Sequence, residues 1–150
     1  MIKYKKIDFE KVNKVFPDID KIFARYGSKI VVAYVFGSFK RGEIRPLSDI
    51  DLAVLLDRNL SKTERLEIQI ELLDDLIEFL GTDEIDLVIL NDVPLSIQYG
   101  VLKDKKIVYY SDKQKLVDFE ADVVLKYLDI KPLRDEFNRE FIKRAGEYLG

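Results

Sequence analysis

The sequence has no cysteine and no histidine. Without thiols there is no disulfide, no cysteine nucleophile and no thiolate-bound zinc; without imidazole there is no Ser-His-Asp triad and no histidine-ligated metal. Any chemistry must therefore run on carboxylates, hydroxyls, lysine, arginine and a borrowed cation. Long apolar runs are also lacking: none approaches the roughly 20 residues that span a bilayer. The opening Met-Ile-Lys-Tyr-Lys-Lys carries charge with no apolar stretch behind it, which argues against a signal peptide. The expectation is a cytoplasmic protein with no membrane partner. Nor is there an excess of basic charge. A net charge of -3 and a pI near 5.2 supply no general field for nucleic acid, so only a local basic patch could serve it. No repeat, low-complexity tract or linker interrupts the 150 residues, of which 47% are hydrophobic, and the chain reads as one domain over 1–150.

What is present is a stretch whose order folding alone does not explain: GSFKRGEIRPLSDIDLAVLL, from Gly37 to Leu56. The apolar run Ile30 to Phe36 before it reads as a buried strand, which Gly37-Ser38 breaks into a tight turn. A second strand runs from Asp49 to Leu56. Strand side chains alternate, so Asp49 and Asp51 face one way while Ile50 and Leu52 enter the opposite layer. Two carboxylates on one face of an apolar strand repel, and a cation relieves that repulsion. All-oxygen donors suit magnesium or manganese. A third acid, Asp86, lies inside the short apolar strand Ile85 to Leu90. Each residue also has a plain structural reading. Gly37-Ser38 is a common turn after a strand, and Lys40, Arg41 and Arg45 can be solvated surface. Ser48 either bonds a carboxylate or ends the loop, and Asp86 can be a strand-end acid tied to backbone. Read functionally, Ser38 and the amides after it cradle phosphate, the loop cations neutralise a leaving pyrophosphate, and three acids meeting at a sheet edge form a two-metal site.

The surrounding pattern is mostly helical. Residues 1–29 carry a stripe of Val12, Val15, Phe16, Ile19, Ile22, Phe23 and Tyr26, with Asp8 as N-cap and Pro17 restarting the helix. The segment from Gly37 to Leu47 reads as a short helical turn and a loop closed by Pro46. Ser61 and Glu64 form a capping box for a helix ended by Gly81, with Leu66, Ile70, Leu73, Ile77 and Leu80 as its buried stripe. A helix from Pro94 to Leu102 and an edge strand from Ile107 to Tyr110 follow. Ser111 caps a helix bearing Leu116, Phe119, Val123 and Tyr127, which Lys131-Pro132 breaks before a last helix carrying Leu133, Phe137, Phe141 and Ala145.

Gly37-Ser38, then Ser48-Asp49-Ile50-Asp51 with ten residues between Ser38 and Asp49, then Asp86, resembles the nucleotidyltransferase superfamily that includes DNA polymerase beta. More closely, Gly37-Ser-Phe-Lys-Arg-Gly42 with Ser48-Asp-Ile-Asp-Leu52 resembles the minimal nucleotidyltransferases that act as antitoxins beside HEPN-type ribonuclease toxins, and the tail from Val101 to Tyr110 and at Pro132-Leu133-Arg134 shares that likeness less specifically. The resemblance implies an α/β (α+β) fold, a mixed nucleotidyltransferase-type sheet with helices on one side and a C-terminal helical part; the catalytic core falls at about 17–110 and the C-terminal helices at about 112–148. It further implies magnesium-dependent transfer of AMP from ATP to a tyrosine of a HEPN toxin, in a hetero-oligomer with that toxin. Gly37, Ser38, Arg41 and Ser48 would bind nucleotide, and Asp49, Asp51 and Asp86 would hold two magnesium (or manganese) ions, with Asp86 also a candidate base. Two alternatives stand beside this reading. One is an antitoxin that blocks its toxin without catalysis; the other is transfer to a small molecule or an RNA end.

Overall fold

The computed structural model describes residues 9–37 and 49–149. Its centre is β1 (Ile30–Phe36), an IVVAYVF run whose β-branched and aromatic residues suit a strand covered on both faces. On one side β1 pairs antiparallel with β2 (Ile50–Leu56) and on the other with β4 (Lys105–Tyr110); β3 (Ile85–Ile89) runs parallel to β2, giving the order β3-β2-β1-β4. The sheet is mixed, as the sequence indicates. β4 is an edge strand and begins two residues earlier than its apolar run.

Helices cover both faces, not one. Ile50, Leu52, Val54 and Leu56 project from β2 into a core shared with Val12, Ile22 and Phe23 of α1 (Phe9–Val15) and α2 (Asp20–Ala24), and with α3 (Lys62–Leu80). Tyr34 and Ala53 project the other way, into a core built with Val101 and Leu102 of α4 (Leu95–Leu102) and with Leu116 and Val123 of α5 (Lys113–Leu149). Pro17 lies in a 3-10 turn, Phe16–Asp18, that separates α1 from α2; the Asp8 cap lies outside the described residues.

α3 starts and stops as its sequence requires. Ser61 Oγ accepts from the Glu64 N–H, Glu64 Oε1 accepts from the Ser61 N–H, both at 3.1 Å, and Gly81 ends the helix at φ 71°. Of the expected stripe Leu80 is buried and Leu73 packs partly buried against the core, but the rest of the buried face differs. Ile68, Leu72, Leu76 and Leu80 face the sheet, while Leu66 and Ile70 are 55% and 58% exposed. The helix carries two apolar stripes at helical spacing, and periodicity cannot rank them. Polar anchors decide: Arg65 donates to both oxygens of Asp92 and to the Leu60 carbonyl, and Gln69 donates to the Leu87 carbonyl, which fixes the rotation of the helix about its axis.

Two features of α5 also depart from expectation. The cap is Asp112, whose Oδ1 accepts from the Lys115 N–H; Ser111 instead donates its hydroxyl to the Ile30 carbonyl, fastening the end of β4 to β1. The helix then continues through Pro132. A proline inside a helix costs about 3 kcal/mol and frees one carbonyl. Here that carbonyl belongs to Leu128, which is 52% exposed, so water can take the lost bond. Leu116 and Val123 are buried, Phe119 is partly buried, and Tyr127 stacks on Tyr99 of α4 with ring centroids 3.7 Å apart. The side chains of Phe137 and Phe141 lie outside the described set.

The register of α3 is testable by denaturation. Leu72→Ala leaves a cavity beneath the helix and should cost about 2–5 kcal/mol, whereas Leu66→Ala should stay within about 0.5 kcal/mol. Equal losses in urea melts would contradict this register.

Candidate active site

The C-terminal end of β1 and the starts of β2, β3 and β4 meet at one end of the sheet. There Asp51 is the register partner of Phe36 on β1 and of Asp86 on β3. Adjacent strands lie about 4.8 Å apart and partnered residues point to the same face, so the Asp51 and Asp86 carboxylates stand side by side. Both project toward the α4–α5 face, since Asp51 alternates with Ile50 and Leu52, which enter the α1–α3 core. Asp86 and Asp49 are exposed and Asp51 is half-buried. Burial, then Asp86, then Asp49 push the Asp51 carboxyl up to about 6. The Asp51 carboxylate also lies against Gly37. That residue has φ 72°, and a Cβ there would overlap the carboxylate. Gly37 is thus required on two counts, backbone conformation and close approach.

Of the other expected site residues, Ser38, Arg41 and Ser48, with Lys40 and Arg45, lie outside the described residues. Among the described residues no three acidic side chains close on a single ion position. The donors still suit magnesium, which takes one or two carboxylates and leaves its other positions to water and substrate phosphates. The raised pKa of Asp51 marks a place where a cation would relieve repulsion.

One nearby cation was not singled out by its sequence. Lys105, ahead of the apolar run Ile107 to Tyr110, begins β4 opposite Phe36, so Lys105, Phe36, Asp51 and Asp86 form a row across four strands. Its Nζ is 2.6 Å from Glu120 of α5 and 5.6 Å from the centre of the Tyr34 ring, and the buried Tyr34 hydroxyl donates to the same carboxylate at 2.6 Å. This knot ties α5 to the sheet beside the acids. Two hollows of about 670 and 690 Å³, lined by residues such as Tyr26 and Lys29 in one and Asp57 and Asn91 in the other, sit at the opposite end of β1 and contain none of the three acids.

The model of the polymerase beta nucleotidyltransferase family matches residues 17–114. No curated protein matches significantly. Among solved structures, a chain from the crystal structure of a toxin–antitoxin with AMP-PNP is 26% identical, with TM-score 0.64, covering 83% of this chain and 95% of its own. A chain from the tri-AMPylated Shewanella oneidensis HEPN toxin in complex with its MNT antitoxin is 23% identical, with TM-score 0.58 and coverage of 89% and 98%; at that identity the likeness speaks for the fold.

The Asp51 environment makes a pH prediction. Its folded pKa exceeds the unfolded value, so the fold binds the proton more tightly and loses stability as pH rises from about 4 to about 6. Without divalent cations, Asp51→Asn should stabilise the protein at pH 7 by no more than about 1 kcal/mol, because solvent screens this half-open site. The gain should vanish near pH 4. A difference constant across that range in thermal melts would show that Asp51 does not titrate in this way.

Proposed function

The chain belongs to the polymerase beta nucleotidyltransferase family; from that premise we propose that it is an antitoxin that transfers AMP from ATP to a tyrosine of a HEPN-type ribonuclease toxin in the cytoplasm. The observation that carries the proposal is the pairing of Asp51 with Asp86 in register, against Gly37, at the open end of the sheet. Support for the nucleotide comes from the 26% identical neighbour crystallised with AMP-PNP. Support for the partner comes from the likeness to HEPN-associated antitoxins and from the fold shared with the MNT complex. No helix of the described residues is long and apolar enough to cross a membrane.

In this reading Asp49, Asp51 and Asp86 are the residues that would hold the cations, and Asp86 would also serve the acceptor. Magnesium, when bound there, supplies charge neutralisation for the phosphates and polarises the α-phosphorus. Gly37 lets the chain turn without crowding Asp51, and Ser38, Arg41 and Ser48 are the residues assigned to the triphosphate. The acceptor hydroxyl attacks the α-phosphorus as the bond to the bridging oxygen of pyrophosphate breaks, and its proton passes to Asp86. Asp86 is exposed, which leaves room for a side chain presented by another protein. Added phosphate on the toxin places negative charge where RNA would bind, which silences it.

Intact mass spectrometry of the neighbouring toxin after incubation with this protein, ATP and magnesium should show a gain of one or more AMP units. Asp49→Asn with Asp51→Asn should abolish the gain, and Asp86→Asn should cut transfer at least ~100-fold while changing nucleotide affinity modestly. Toxin inhibited equally by parent and double variant, with no change of mass, would establish blocking by binding instead.

A further inference from the structure

The second apolar stripe of α3, which meets the core only at Leu73, is itself ordered. Leu66, Ile70, Leu73 and Ile77 recur at i, i+4, i+7 and i+11 and therefore share one face of the helix. Leu66 and Ile70 are more than half exposed and Ile77 is partly so, while Leu73, at the inner edge of the ridge, packs partly buried against the core. Single exposed apolar residues are normal, but a four-residue ridge along three turns is a contiguous patch of the kind that marks an interaction site. Its solvent-side edge is acidic. Glu67, Asp74 and Glu78 lie at that edge, all exposed, and no ion-pair partner accompanies them among the described residues. Within the helix six acids are set against two bases, Lys62 and Arg65, and Arg65 is already held by Asp92.

We infer that α3 is a docking surface for a basic amphipathic helix of another protein, seated on the ridge of Leu66, Ile70, Leu73 and Ile77 with its lysines or arginines against the acidic edge. Charge selects this occupant. A second copy packed through the same stripe would set acids against acids, and an anionic lipid surface would be repelled by them. A helix laid along the ridge meets its spacing directly, in the helix-in-groove manner of peptide recognition. The surface is on the face of the sheet opposite the Asp51–Asp86 pair, so a bound partner leaves the acids open. It is therefore separate from the acceptor surface of the proposed transfer and does not depend on that proposal.

The probes are two synthetic peptides of about five helical turns, one of leucine and lysine with leucines at i, i+4, i+7 and i+11, the other with glutamate in place of lysine. Calorimetry on the full chain should show binding of the Leu/Lys peptide only. Leu66→Ser with Ile70→Ser should weaken it at least ~tenfold, with circular dichroism unchanged. Glu67→Lys, Asp74→Lys and Glu78→Lys together keep the ridge and should reverse the preference to the Leu/Glu peptide. Unchanged affinity in either variant overturns the inference, as does an equal loss on Val117→Ser with Leu125→Ser of α5, which would mean non-specific adhesion. A dimer in sedimentation that Leu66→Ser with Ile70→Ser dissolves would assign the ridge to a second copy instead.

Discussion

The pairing of β2 with β3 forces two carboxylates together, and the rest of the molecule is arranged so that the fold survives it. Parallel register sets Asp51 opposite Asp86 at the strand starts, where the repulsion is felt by a partly buried Asp51 and an exposed Asp86. One step further along, Leu52 and Leu87 are buried partners in the same register, and Val54 with Ile89 lies beyond. The apolar pairs hold the register that the acidic pair opposes. At the far end Asn91 adds a polar lock: its side chain accepts from the Leu56 N–H and donates to the Leu56 carbonyl, both at 2.9 Å. Repulsion at one end of β2 is thus met by two side-chain-to-backbone hydrogen bonds at the other.

The acids share their face of the sheet with α4 and α5, and the tie between α5 and the sheet is electrostatic as well as apolar. Glu120 accepts from the Tyr34 hydroxyl and pairs with Lys105, both at 2.6 Å, so one carboxylate is shared between a buried phenol on the central strand and a lysine on the edge strand. Removing Lys105 would leave Glu120 with uncompensated charge in a partly buried place, and removing the Tyr34 hydroxyl would cost that carboxylate a hydrogen bond, which is why such knots resist rearrangement. A long helix anchored this way near its N-terminal third has reach to spare: at 37 residues α5 extends about 55 Å, against a sheet of short strands.

Much of this could be read from residue order. The limits of β1 follow from an uninterrupted apolar run, the limits of α3 from the Ser61–Glu64 box and Gly81, and the break at Pro17 from proline's missing donor. These are local effects, decided within a few residues. What could not be read is non-local. The stripe of α3 that turns inward depends on Asp92 and Leu87, which anchor Arg65 and Gln69 from 27 and 18 residues away. The Ser111 hydroxyl is drawn from capping by the Ile30 carbonyl, eighty-one residues distant. Alternation from Asp49 onward predicts Asp49 and Asp51 on one face, though β2 itself begins at Ile50, and that Asp86 stands beside Asp51 follows only from the β2–β3 register. The steric reason for Gly37 is likewise invisible without Asp51 in place against it.

The division of the molecule into two helical layers separates two surfaces of different character. On the α4–α5 side the sheet presents exposed carboxylates at the strand starts, with Lys105 at the end of the row, a polar surface suited to charged substrate. On the α1–α3 side it is closed by a core that takes one stripe of α3 and only Leu73 of the other, leaving an apolar ridge with an acidic border. A sequence under selection for stability alone has no reason to keep two apolar stripes on one surface helix, because the outer one exposes Leu66 and Ile70 to water with no gain in packing. Exposed leucine and isoleucine at regular helical spacing, bordered by acids with no ion-pair partner among the described residues, are accounted for by an interaction that the isolated chain does not contain. Such an interaction can add to the chemistry at the acids without competing for the same side of the sheet.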